Sequence, residues 1–140
     1  FHLVHAARDG FVVALCGGRL LNALRPWLLE SGAVDEAWLA REEWKSYDYR
    51  IFRGGEFAIP FDELVAKLRE FFRTQTRAEL FRRGLSLGVT IAPVQTLDDM
   101  LAFEQLKVRD YYRPLALPSG RTVLAPGPFA RPSKSRPKAL

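Results

Sequence analysis

The chain has 140 residues, 48% of them hydrophobic and 26% charged, which suits one globular domain with a real core. Its formal net charge is +5, yet the last ten residues hold Arg131, Lys134, Arg136 and Lys138 and no acid, so the first 130 carry only +1. That distribution argues against a basic face for nucleic acid on the folded part, and the positive balance reads as a solvated tail.

Residues 11–15, F-V-V-A-L, form a continuous apolar run after the turn signal Asp9-Gly10, and predict a buried strand that Gly17-Gly18 ends. Leu20, Leu21, Leu24, Trp27 and Leu28 recur at helical spacing, with Gly32 as the residue just past the helix end. Pro26 interrupts this pattern at a cost of about 3 kcal/mol, which predicts two short helices or one kinked helix. A short helix starts near Asp35 and carries Trp38. Residues 45–59 are polar, aromatic and glycine-containing without a sustained period, and read as a loop. Phe61, Leu64, Val65, Leu68, Phe71 and Phe72 mark a helix over residues 60–74, with Pro60 at its first position and Asp62 and Glu63 in its first turn.

Thr76 and Glu79 form a capping-box pattern for the next helix, which carries an apolar stripe of Leu80, Phe81 and Leu85 and ends at Gly88. Residues 89–94 read as a short strand, placed at an edge by Pro93. Thr96 and Asp99 open a second capped helix over about 97–103, with a further turn at 105–109. Residues 111–117 and 121–125 are two strands, joined at Pro118-Ser119-Gly120 as a hairpin. Six of the nine prolines follow residue 113, and from Pro126 onward the chain reads as a linker. The expected fold class is α+β, with helices packed on a short, mainly antiparallel sheet. Its expected domains are 1–125, folded, and 126–140, a proline-rich basic tail.

Few residues offer chemistry. Cys16 could serve as a nucleophile with His2 or His5 as base, or fill a strand end as a small hydrophobe. His2 and His5 alone do not make a metal site, and no metal is expected. Adjacent carboxylates, Glu42-Glu43 and Asp98-Asp99, point in different directions on a helix, so neither pair is a ready acid/base dyad. Gly17-Gly18 and Gly54-Gly55 are too short for phosphate loops. Arg69, Arg73, Arg77, Arg82 and Arg83 could offer a patch to an anionic cofactor such as CoA, or form a solvated helical face. Trp27, Trp38 and Trp44 belong either to the core or to a subunit interface.

The ordered set of Thr76-x-x-Glu79-Leu80, Gly88-Val89, Ala92-Pro93-Val94, then Leu101, Gln105, Leu106 and Arg109, and finally Pro126-Gly127-Pro128-Phe129 resembles the rear half of class III CoA-transferases. This is the CaiB/BaiF family, which includes formyl-CoA transferase and α-methylacyl-CoA racemase. Ala7-x-Asp9-Gly10-Phe11-Val12-Val13 is similar to the family's start of the small domain, and the resemblance runs over about residues 6–133. The chain departs from the pattern at Phe103-Glu104, where the family has Asp-Pro, at the long aromatic loop 45–59, and at Pro26.

The resemblance implies the small domain and return linker of an enzyme that moves CoA from an acyl thioester to a carboxylic acid. In that family an aspartate of the large domain attacks the thioester carbonyl and carries CoA as an aspartyl thioester. No residue here matches the motif around that group, so no catalytic residue is expected within the chain and its cofactor-binding residues stay unassigned. Acyl-CoA and a carboxylic acid are the implied substrates, and an interlinked homodimer with a missing large domain is the implied assembly. A chain that begins on Phe1 and has Met100 as its single methionine fits a piece of a longer polypeptide. Its start does not read as a signal peptide. No apolar run of about 18 residues spans a membrane, and a lone cysteine suits a reducing cytoplasm. The alternatives are the racemase branch of the same family, or a non-catalytic interaction domain that uses the aromatics between Trp44 and Phe57.

Overall fold

A computed structural model describes residues 3–127. They fall into two compact units, one up to Val94 and one from Gln95 on.

The first unit is built on a three-stranded antiparallel sheet. Strands β1 (Val4–Ala7) and β2 (Gly10–Ala14) form a hairpin, and β3 (Ile91–Pro93) pairs with the other side of β2. Pro93 lies on the edge strand, where its missing N–H costs no ladder bond. Between β2 and β3 run five helices: α1 (Gly18–Glu30), α2 (Glu36–Leu39), α3 (Tyr47–Arg53), α4 (Phe61–Thr74) and α5 (Arg77–Ser86). Side chains alternate across β2, so Val12 and Ala14 are fully buried beneath the helices. They meet Leu21, Leu24, Leu68 and Phe72 in one core. Phe11 and Leu15 point the other way and are more than half exposed. With Val4 opposite Val13 and Ala6 opposite Phe11, the outward positions of the hairpin are apolar throughout.

Helix α1 is a single helix that passes through Pro26. Its buried stripe, Leu20 to Leu28, anchors both sides of the proline, and Pro26 itself is exposed, where water can take the hydrogen bond that the ring removes. Gly32 adopts φ +72° just past its end, as the sequence predicts. Asp35 caps α2 by accepting from the Trp38 N–H.

Residues 45–59 are not a simple loop. Tyr47–Arg53 is helical, stopped by Gly54 at φ +74°. Tyr47 is fully buried, and its hydroxyl donates to the Ile59 carbonyl. Helix α4 buries the predicted face, although Pro60 caps the helix from outside rather than opening it. In α5 the Thr76 hydroxyl accepts from the Glu79 N–H, but the stripe differs from the expected one. Leu80 and Gly84 face inward, while Leu85 is 65% exposed. The reason is close approach: a Cβ on Gly84 would stand 3.3 Å from Ile91 Cβ and from the Val89 carbonyl oxygen. Helix and edge strand meet at that glycine, which turns Leu85, one residue on, toward solvent. Gly88 (φ +65°) ends the helix region as expected.

In the second unit, α6 (Leu97–Ala102) carries the full capping box of Thr96 and Asp99. A further turn, α7 (Glu104–Val108), follows it. The antiparallel hairpin of β4 (Tyr112–Ala116) and β5 (Thr122–Pro126) turns at Gly120, φ +78°. The fold class is therefore α+β, with small antiparallel sheets. His2 and the basic tail from Pro128 on lie outside the described residues.

Candidate functional site

Gly17 and Gly18 begin α1, and space requires both. A Cβ on Gly17 would lie 2.4 Å from Asp48 Oδ1, and one on Gly18 would lie 2.7 Å from the Trp44 carbonyl oxygen. The pair lets α3 and its approach close onto the helix start. Asp48 then accepts from the backbone N–H groups of Gly18 (2.7 Å) and Arg19 (2.9 Å). Its carboxylate thus satisfies two unpaired donors and complements the positive end of α1.

The start of α1, α3 and the turn after α5 enclose a cleft of about 260 Å³. Leu15, Leu20, Ile51, Phe52 and Val89 supply its apolar walls, and Arg19 and Asp48 are its charged lining groups.

Cys16 also lines this cleft, and the structure does bring His5 to it. His5 Nε2 stands 3.4 Å from Cys16 Sγ and 3.1 Å from the Ala14 carbonyl oxygen. A carbonyl oxygen only accepts, so Nε2 carries the hydrogen and donates it there. The same nitrogen cannot take the thiol proton. Burial pushes the thiol pKa up to about 12, with the positive Arg69 acting weakly the other way. Cys16 at 4% exposure is therefore a small buried hydrophobe rather than a nucleophile.

The paired carboxylates separate as their directions require. Glu42 turns inward, its side chain 3% exposed, and accepts from Arg50 Nη2 (2.6 Å) and the N–H groups of Ala58 (2.7 Å) and Ile59 (3.1 Å). Burial works to raise its pKa, but these donors outweigh it and hold the carboxyl below the usual range. Glu43 turns back on its own turn, accepting from the Ser46 hydroxyl and the N–H groups of Ser46 and Lys45, and is held low chiefly by Ser46. Asp99 serves the α6 cap. Neither pair forms a dyad.

Three of the five arginines considered as a patch are engaged: Arg77 with Asp9, Arg82 with Glu79, and Arg83 with Glu79 and Glu30. Arg83 also lies 4.1 Å over the Trp27 ring. The tryptophans belong to the core. Trp27 meets Phe71 edge-on, and Trp38 stacks on Trp44. Trp38 donates to Glu63 (2.7 Å), and Trp44 donates to the Leu39 carbonyl (2.8 Å). Among the described residues no group of three or more His, Cys, Asp or Glu stands where it could hold a metal ion.

Sequence reasoning missed Asp48, Arg50 and Arg19. All three act across 8 to 30 residues of chain, and only the adjacent glycines signalled a close approach.

Such an arrangement defines a class: an α+β unit of helices on an antiparallel sheet, with an apolar cleft and, among the described residues, no nucleophile and base in a working arrangement. The chain belongs to CoA-transferase family III, which it matches over residues 1–139. Its fold is that of a CAIB/BAIF family protein from Brucella suis, with 22% identity and a TM-score of 0.60 over 94% of this chain and 31% of that one. Rv3272 from M. tuberculosis, in an orthorhombic form, shares 17% identity with a TM-score of 0.59, covering 96% of this chain and 35% of its own. A mutant of Rv3272 superposes at a TM-score of 0.55, with 17% identity, 95% of this chain and 33% of that one. The chain thus spans about a third of the length of these proteins. No curated protein matches it.

Proposed function

We propose that this chain is the small-domain part of an enzyme that transfers CoA from an acyl thioester to a carboxylic acid, with the nucleophile outside these residues. The observation that carries the reading is the family match over residues 1–139, in a chain about a third as long as proteins of the same fold. In the reaction a carboxylate attacks the thioester carbonyl and expels CoA thiolate, leaving a mixed anhydride. The thiolate then attacks the enzyme's acyl carbon, which releases the first acid and leaves an enzyme–CoA thioester. The acceptor carboxylate repeats the two steps in reverse.

Three features support a part rather than a whole enzyme. Cys16 is protonated and buried, Glu42 and Asp99 are committed to backbone donors, and Asp48 caps a helix. The apolar outward positions of the β1–β2 hairpin suit a surface that another part of a longer polypeptide covers. We read residues 1–125 as the small domain and 126–140 as the link to the large one. The intact enzyme is read as an interlinked homodimer of the reducing cytoplasm, with acyl-CoA as substrate and no metal.

Assaying the longer polypeptide with an acyl-CoA and a labelled acid tests the reading. Label appearing in the thioester supports transfer. Exchange of the α-proton of a 2-methylacyl-CoA with solvent deuterium, without transfer, replaces it by the racemase branch. An interaction domain would instead use the aromatics between Trp44 and Phe57, of which Tyr49 and Phe52 are exposed, and a longer polypeptide inactive in both assays would favour it.

A further inference from the structure

An apolar cleft that carries an exposed arginine opens between the start of α1, α3 and the turn after α5. We propose that it binds a small apolar carboxylate, its hydrocarbon part against Leu15, Ile51, Phe52 and Val89 and its carboxylate on the guanidinium of Arg19. Identifying that ligand as the acceptor acid rests on the transferase reading above.

Size comes first. A cavity of about 150 Å³ admits benzene, and sites for larger ligands run from about 300 Å³ upward. At about 260 Å³ this cleft takes a ring or a chain of roughly six carbons. Charge comes second. Arg19 lines the cleft, is exposed, and forms no ion pair among the described residues. Asp48, the anion beside it, has both carboxylate oxygens committed to the amides of Gly18 and Arg19, so its charge is set against the helix end. Among the described residues the lining therefore offers one cation, beside an anion that the start of α1 already holds and above an apolar wall, which complements one carboxylate on a hydrocarbon body.

The same lining argues against the CoA half of a thioester. A nucleotide with several phosphates calls for several cations or a glycine-rich cradle, and among the described residues Arg19 is the one cation of this lining. The acyl end of a thioester carries no charge for Arg19 to pair with. Cys16, at the cleft wall, stays a protonated thiol and takes no part.

Titrating the isotopically labelled 140-residue chain with hexanoate, hexan-1-ol and hexanoyl-CoA, followed by NMR, tests the proposal. Hexanoate should shift the signals of Leu15, Ile51 and Val89, with a Kd on the order of 1 mM. Arg19→Gln, a surface substitution, should weaken hexanoate about tenfold and leave hexanol binding unchanged. Phe52→Ala should weaken both, and hexanoyl-CoA should perturb the cleft less than hexanoate does. A dispersed amide spectrum verifies that each variant is folded. Silence at the cleft overturns the proposal, as does equal hexanoate affinity in the native chain and Arg19→Gln. Cleft binding in a protein whose longer form transfers no CoA would keep the carboxylate site and remove the transferase reading. Transfer by the longer form with a silent cleft would do the opposite.

Discussion

Replacing Glu42 by alanine should be among the most damaging single changes in the first unit. Glu42 holds four donors: Arg50, and the N–H groups of Glu43, Ala58 and Ile59, the first of these N–H groups exposed to water. A hydrogen bond to a charged group contributes about 1.5–3 kcal/mol, so a simple sum would exceed ~5 kcal/mol. That sum overstates the loss. Arg50 keeps its bonds to the Glu43 and Glu56 carbonyls and its place over Tyr47 and Phe57, and the Ala58 N–H is exposed enough for water to replace its partner. The Ile59 N–H and the buried end of Arg50 remain, which leaves about 2–4 kcal/mol. Against a typical stability of about 5–15 kcal/mol this is a large fraction. Urea unfolding followed by far-UV circular dichroism measures it. Glu42→Gln, which retains an acceptor, should lose about half as much. The pH dependence has a definite sign. The folded carboxyl is held below its ordinary value, so its contribution is complete above pH ~4.3 and is lost as pH falls through the lower folded value. A Glu42→Ala loss below about 0.5 kcal/mol would refute the clamp.

Gly18→Ala should destabilise by about 1–3 kcal/mol, because its Cβ would meet the Trp44 carbonyl oxygen at 2.7 Å and Tyr47 Cβ at 2.8 Å; thermal unfolding checks it. Leu80→Ala should cost about 2–4 kcal/mol, whereas Leu85→Ala should change stability by less than ~0.5 kcal/mol, which a denaturant series separates. Cys16 should resist a thiol reagent at pH 8 until the chain is unfolded. With its folded pKa about 12 against an ordinary 9.0, the protonated thiol's contribution is complete below pH 9 and declines as pH rises toward 12, a loss that Cys16→Ala should abolish.

Much of this fold was legible because local chemistry and burial agree. Helix α4 has an unbroken apolar face, α6 carries Thr96 and Asp99 at capping spacing, and the terminal hairpin turns at a glycine that needs positive φ. Where the two disagreed, the sequence misled. Helix α3 is seven residues long, has no side-chain cap, and buries only Tyr47, so its period never emerges from its polar surroundings. Strand β1 is four residues with a histidine on its inner face, too short to stand out. Leu85 lost its place in the core to Gly84, because contact with β3 favours the smallest side chain there. The candidate cleft was least legible of all. Arg19 and Asp48 come together through a contact 29 residues apart, and only the pair Gly17-Gly18, beside Arg19, hints at a close approach.

The chain belongs to CoA-transferase family III, and the proposed function has it act with a carboxylate supplied from outside these residues. Measuring the transfer of CoA from an acyl-CoA to a labelled carboxylic acid, first by the 140-residue chain and then by the longer polypeptide, tests it most directly. The account predicts no turnover above buffer for the chain alone and steady transfer by the longer form. Sustained transfer by the 140 residues themselves would contradict it.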